Sequence, residues 1–221
     1  MVPQLSKEGV TIVLRGNFNP SIFHPSWFLS YRLLRTQEAE NAKIEIVHPE
    51  AAVFTSEWLK ISVTRDRFNA GSSQESHYEA VRDLVVGVFS LLNHTPLTAV
   101  GINRDFHYRL ESEDLVNSIG NRLAPKQDWE DLLSEPGMLS LAMRGNRTDN
   151  LDGYIHVKVE PSALEKPGVF VAVNDHYQLK SGEGLLSKTG DATRIIADQW
   201  KVSMDRALRI SQKIAGLGET K

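Results

Sequence analysis

The residues best suited to chemistry in this sequence are histidine and aspartate side chains close together in short polar segments. One such segment, residues 103–108, contains Asp105 and His107 together with Asn103 and Arg104. A carboxylate and an imidazole can share a proton in acid–base catalysis, and an arginine can stabilise an anion. Because Asp105 and His107 are two residues apart, they lie on one face of a strand. The alternative interpretation is a polar strand rim held by cross-strand pairs.

Two further polar segments follow predicted strands. One contains Asn174, Asp175 and His176, and the other contains Arg65 and Arg67. If their strands are equivalent members of a repeat, these segments and residues 103–108 ring one patch, which is the best candidate for a binding site. Asn and Asp are also common turn formers at strand ends, so a purely structural role is the alternative.

The order of the strands makes this candidate patch specific. The strand at 97–108 opens the second half of the chain, and the strand at 169–177 is the last one before the final helix. Such strands usually lie side by side in an antiparallel sheet. We therefore predict that Asn103 and Asn174 lie close together at one edge or end of the sheet, with the acids and histidines of both segments nearby: Asp105, His107, Asp175 and His176.

Motifs for metals, cofactors and nucleophilic catalysis are missing. The seven histidines show no i, i+4 pair within a predicted helix, and the sequence has no cysteine. The glycine-rich phosphate-binding patterns and the nucleophile-elbow pattern are absent as well. We expect no metal ion and no cofactor, and we assign no catalytic residue.

An aromatic segment follows the first predicted strand. Phe18, Phe23, His24 and Trp27 lie within ten residues of one another. Together they could form an exposed apolar contact surface for a partner protein. The alternative is that the segment folds back into the core.

Hydrophobic periodicity predicts the elements that position these residues. Alternating or β-branched runs predict strands at 10–15, 44–47, 58–65, 97–108, 138–143, 154–159 and 169–177. Helical spacing predicts a short helix after Pro25, a long helix that ends near Asn93, and a final helix over 191–215. Ser76 and Glu79 have the spacing of a capping box, and Ser112 can cap another helix. A further short helix is expected to begin at Pro125, with Trp129, Leu132 and Leu133 as its apolar residues.

The element order suggests a duplicated β-α-β-β-α unit. Residues 10–93 and 97–215 each begin with a strand and end with a long helix. The resulting prediction is an α+β protein with one antiparallel sheet and long helices on one face. Half of such a sheet would leave its apolar face bare, so residues 1–221 are expected to form one cooperative domain.

Composition excludes several classes of protein. The 221 residues carry a net charge of -3, which argues against a dedicated nucleic-acid binder. The longest apolar run, residues 84–89, is too short to span a bilayer. Without a signal-peptide pattern or any cysteine, the sequence predicts a cytoplasmic protein.

Several strings in the sequence are distinctive in order and content. They are residues 16–27, 94–96, 101–103, 123–129 and 174–177. These strings resemble those of a group of uncharacterised bacterial proteins of similar length. The resemblance implies a bacterial origin and a single full-length module, and it carries over no catalytic residue.

Three functions are compatible with the sequence. The leading hypothesis is a non-enzymatic interaction protein, either a homo-oligomer or a subunit of a larger bacterial complex. The second is a small-ligand-binding protein with a cavity between the sheet and a long helix. The third is a metal-independent hydrolase or nuclease that uses Asp105 with His107, or Asp175 with His176.

Overall fold

Nine antiparallel strands form one continuous sheet. The structure is a computed structural model that describes residues 3–179 and 189–219. In chain order the strands are β1 (Gln4–Gly16), β2 (Lys43–His48), β3 (Ala51–Thr55), β4 (Lys60–Thr64), β5 (Arg67–Ser72), β6 (Leu97–Arg109), β7 (Leu141–Asn146), β8 (Gly153–Pro161) and β9 (Gly168–Gln178). Their spatial order is β2-β3-β4-β5-β1-β6-β9-β8-β7.

Two long helices cover one face of this sheet. The α-helices are α1 (Pro25–Ser30), α2 (Thr36–Glu40), α3 (Tyr78–Leu91), α4 (Glu113–Leu123) and α5 (Thr189–Ala215). Helix α3 packs on β1 and β5, α5 packs on β6 and β9, and the two helices contact each other. The α+β prediction, with an antiparallel sheet and long helices on one face, is confirmed.

One of the predicted helix starts is confirmed and two are wrong. Ser112 caps α4 as predicted, because its Oγ accepts the N–H of Leu115 at 3.4 Å. The capping-box prediction for α3 is wrong, since a 3₁₀ turn over Glu75–His77 precedes the helix and takes Ser76 away from the cap position. The helix predicted from Pro125 is also wrong, because the chain forms irregular turns there.

The first half of the sheet contains more strands than the sequence predicts. Strands β3 and β5 were missed, and the predicted strand at 58–65 shortens to β4. Strand β5 contains Asn69 and Gly71, which are typical of turns. Its pairing with β1 on one side and β4 on the other compensates for that poor local propensity.

The core lies between the sheet and the long helices. Alternate residues of the central strands point into it, among them Val10, Ile12 and Leu14 of β1. Two tyrosines of the sheet also hydrogen-bond to α5: the hydroxyls of Tyr108 and Tyr177 lie 2.8 and 2.7 Å from serine hydroxyls of the helix, those of Ser211 and Ser203. These bonds satisfy polar atoms that would otherwise be buried without a partner.

The sheet divides at the pair of β1 and β6, the first strand of each half. Strands β5 and β9, each followed in the chain by a long helix, flank this central pair. About this central pair, β9 and β8 of the second half occupy places that match β5 and β4 of the first half. Duplication over residues 10–93 and 97–215, and a single cooperative domain, stay predictions.

Candidate functional site

The two asparagines of the candidate patch lie side by side. Asn103 of β6 is directly opposite Asn174 of β9, so their predicted proximity is confirmed. The predicted place at an edge or end of the sheet is wrong, because the pair lies midway along two inner strands. Both lie on the sheet face away from α3 and α5, which we call the open face. The Asn103 amide donates to the backbone oxygen of Thr11 at 3.0 Å. The amide oxygen of Asn174 is buried without a hydrogen-bond partner in the part of the chain that the structure describes.

Asp105 and His107 lie on the open face, two residues apart as predicted. The carboxylate of Asp105 lies over Gly9 of β1, where an added Cβ would come within 3.1 Å of its Oδ1. Over residues 3–179 and 189–219 this carboxylate has no hydrogen bond or ion pair. Burial raises the pKa of Asp105 and lowers the pKa of His107, because both lose hydration of their charged forms.

His107 has a serine partner that sequence reasoning missed. Its Nδ1 lies 2.8 Å from Ser162 Oγ. That oxygen also accepts the N–H groups of Leu164 at 3.2 Å and Glu165 at 2.9 Å. Because Ser162 is buried and engaged by three partners, it shapes the β8–β9 turn and is not an accessible nucleophile.

Asp175 and His176 do not form the pair that the sequence suggested. Adjacent residues of a strand point to opposite faces, so Asp175 faces α5 while His176 lies on the open face. The His176 ring stacks on Tyr154 with a centroid distance of 4.3 Å. Asp175 therefore does not belong to the candidate patch.

Asp175 belongs instead to a buried cluster of two acids and two arginines. Its carboxylate contacts Arg147 and Arg206, and Arg147 Nε donates to Asp149 Oδ1 at 2.9 Å. The hydrogen bonds from Arg147 lower the pKa of Asp149 to about 2. Arg147 also lies 3.8 Å above the centre of the Tyr177 ring. The cluster connects the β7–β8 loop to β9 and α5. Its two positive and two negative charges balance, which is typical of a cluster that stabilises the fold.

The two arginines of the third segment lie apart from the asparagine pair. Arg65 lies in the β4–β5 turn, where it pairs with Glu50. Arg67 lies on β5 and donates to Asn69 Oδ1 at 2.9 Å. Strands β1 and β6 separate both arginines from β9, so the prediction that the three segments ring one patch is wrong.

A cavity of about 830 Å³ lies on the open face, across strands β4, β5, β1 and β6. The hypothesis of a ligand cavity placed it between the sheet and a helix, on the other side. The lining includes three of the predicted site residues, Asp105, His107 and Arg67, beside Gly9 and Gly71. This is where the predicted polar residues meet accessible space.

The aromatic segment after β1 is a core element. Phe18 and Phe23 are buried, so the prediction that they form a contact surface is wrong. Their rings pack on Phe68 of β5, which gives them an apolar partner inside the sheet. The ring of His24 caps α1, since its Nδ1 accepts the N–H of Ser26 at 3.1 Å. Trp27, in contact with Phe23, is partly buried.

Exposed apolar side chains instead occur after α4 and on the edge strand β7. These large side chains are between 52% and 85% exposed: Trp129, Leu132, Leu133, Leu139 and Met143. Three of them are the apolar residues of the helix predicted from Pro125. Exposed apolar side chains that form one contiguous patch mark an interaction surface in many soluble proteins.

The two edges of the sheet differ in their protection. Strand β2 carries Lys43 and Glu45 and has an irregular register between Ile44 and Ile46. Strand β7 pairs with β8 in an unbroken register and contains one charged residue, Arg144. Charges and bulges discourage edge-to-edge pairing, so β7 is the less protected edge.

Neither the protein-family models nor the curated proteins compared with the sequence match it. Among the described residues, no group of three or more His, Cys, Asp or Glu side chains is placed to hold a metal ion. The helices of the described ranges include none long and apolar enough to cross a membrane.

Proposed function

We propose that the protein is a non-enzymatic interaction module that pairs with a second copy of itself along β7. The observation that carries the proposal is the exposed apolar side chains on and before this edge strand, Leu139 and Met143 above all. Burying such groups against a partner is favourable in proportion to the apolar area removed from water. The bacterial origin and the cytoplasmic setting remain expectations from the sequence.

Strand β7 can pair with the same strand of a second copy without placing like charges opposite each other. A two-fold axis at Met143 would place Arg144 of one copy opposite Ala142 of the other. Like charges then avoid each other, and the unpaired backbone groups of both edges form hydrogen bonds. The sheet would continue across the interface.

The test is the oligomeric state of the wild-type chain and of two edge variants, measured by sedimentation velocity. We expect a dimer for the wild type and a monomer for Met143→Arg, because two arginines would meet at the axis. Ile46→Arg is the matched control, since Ile46 is a similarly exposed residue on the opposite edge. That variant should remain a dimer.

Two results would overturn the proposal. One is a wild-type chain that stays monomeric at high micromolar concentration. The other is a dimer that Ile46→Arg dissociates while Met143→Arg does not. Circular dichroism of each variant establishes that the fold is retained.

A further inference from the structure

Four charged side chains that line the open-face cavity have no ion partner in the described ranges. Glu57, Lys60 and Arg67 are exposed, whereas the carboxylate of Asp105 is half-buried. By strand register, Lys60 on β4 is nearer to Asp105 than Arg67 is. Glu8, which also lines the cavity, is already paired with Arg104. An unpaired, partly desolvated carboxylate costs free energy unless a ligand supplies the counter-charge. Asp105 is therefore suited to receive a cation.

The spacing of the Asp105 and Lys60 charges limits the size of the ligand. Asp105 lies on β6 and Lys60 on β4, with β1 and β5 between them. Three strand spacings of about 4.8 Å and a two-residue offset in register place their backbones about 16 Å apart. Both side chains can lean inward, which leaves about 10 Å between the charges. An extended chain of three residues spans about 10 Å. A single amino acid is too short for this distance.

The floor of the cavity suits an extended backbone. The space over the two glycines of the floor is taken by polar groups, the Asp105 carboxylate over Gly9 and the Thr11 hydroxyl beside Gly71. Ser62 lies on the same floor and offers a second hydroxyl, whereas the Asn69 amide is engaged by Arg67 and by a backbone oxygen. Peptide N–H and C=O groups are natural partners for such side chains.

We propose that this cavity binds a short peptide with free termini, with its ammonium group on Asp105 and its carboxylate on Lys60. The site lies on the open face, so the inference goes beyond self-association through β7 and does not depend on it. The chemistry that selects the ligand is a zwitterion whose charges are about three residues apart.

Trialanine is the probe, and calorimetric titration at neutral pH is the measurement. We expect saturable binding of trialanine to the wild-type protein. Acetylation of its N-terminus should weaken binding about tenfold or more, because it removes a charge-assisted hydrogen bond to Asp105. Amidation of its C-terminus should weaken binding through the loss of the contact with Lys60. These comparisons need only the wild-type chain.

Variants locate the two ends of the peptide. Asp105→Asn should lower the affinity for trialanine by about the same factor as acetylation, and acetylation should then have no further effect. Lys60→Gln should lower the affinity by about the same factor as amidation of the peptide, and amidation should then have no further effect. Glu57→Gln is the matched control, because Glu57 is an exposed charge on the rim of the same cavity. It should bind trialanine as the wild type does.

Gly9→Ala tests the position of the carboxylate without removing its charge. The new methyl group would lie 3.1 Å from Asp105 Oδ1 and displace it. We expect weaker binding of trialanine and unchanged binding of the acetylated peptide. The proposal is overturned if trialanine shows no saturable binding, or if acetylation weakens binding equally in the wild type and in Asp105→Asn.

Discussion

The chain segments that follow the two central strands differ in what they bury. After β1, the segment over residues 17–42 packs Phe23 against Phe68 of β5, and Phe28 against Phe54 of β3. After β6, the segment over residues 124–140 leaves Trp129 exposed. Both segments are apolar enough to join a core. Apolar content alone therefore does not decide burial, because a side chain also needs an uncovered apolar surface to pack against.

Helix α4 covers part of the second half of the sheet. Ile119 of α4 is buried in the cluster that also contains Val159 and Val169 of β8 and β9. Of the residues after α4, Met138 packs against this cluster, whereas Trp129 is exposed. Strand β7 also keeps exposed side chains, and this uncovered apolar surface motivates the proposal of a partner for the second half.

The largest expected effect is a loss of unfolding free energy. This loss should be much greater for a residue of the first segment than for one of the second. Phe23→Ala should lower the free energy of unfolding by about 3–5 kcal/mol, because it removes a fully buried ring. Trp129→Ala should change it by less than about 1 kcal/mol. Urea unfolding in the Met143→Arg background measures both without a contribution from dimer dissociation. Equal losses would mean that Trp129 is a core residue.

A second large effect is expected at the buried charge cluster of the second half. Arg147→Met should lower the free energy of unfolding by about 3 kcal/mol, because it leaves Asp175 buried beside a single arginine. Arg144→Met is the matched control on β7, three residues before Arg147, where the guanidinium lies over the Tyr154 ring on the open face. Its loss should be about 0.5–1 kcal/mol. A larger loss of unfolding free energy for Arg144→Met than for Arg147→Met, in thermal or urea unfolding, would contradict a stabilising role of the charge cluster.

The same cluster predicts a pH dependence with a definite sign. The pKa of Asp149 is about 2 in the folded protein, below the value of about 3.9 in an unfolded chain. Its stabilising contribution is therefore present above about pH 4 and is lost as the pH falls toward 2. Arg147→Met should flatten the decline of the unfolding free energy over this range. If the unfolding free energy of Arg147→Met declines with falling pH as it does in the wild type, Arg147 does not lower the pKa of Asp149.

A smaller effect is expected on the open face, where the two halves meet. Burial raises the pKa of Asp105, so ionisation of this carboxylate disfavours the folded state at neutral pH. Asp105→Asn should raise the melting temperature slightly at pH 7. The gain should vanish as the pH falls through the raised pKa, because the wild-type carboxyl is then neutral too. Asp128→Asn, on an exposed carboxylate, should show no gain.

The sequence predicted those features that depend on short periods and on strand order. The opposition of Asn103 and Asn174 followed from the alternation of β6 and β9 and from their places in the chain. Strand β5 escaped prediction, because Asn69 and Gly71 look like a turn until their partners on β1 are known.

Long-range partners set the rest of the candidate site and could not be read locally. Arg147 has no motif around it that indicates burial, and its partner Asp175 lies 28 residues further along the chain. The contact between His107 and Ser162 joins residues 55 positions apart. The exposure of Trp129 could not be predicted locally either, because burial of a side chain depends on which distant residues are placed to contact it.

Amide hydrogen exchange at two protein concentrations tests most directly whether two copies pair through the edge strand β7. We predict slower exchange of the β7 backbone amides at high concentration than at low concentration, because pairing closes the free edge of the sheet. The amides of β2, on the opposite edge, should exchange at the same rate under both conditions. Equal exchange of β7 at the two concentrations, or protection confined to β2, would contradict the account.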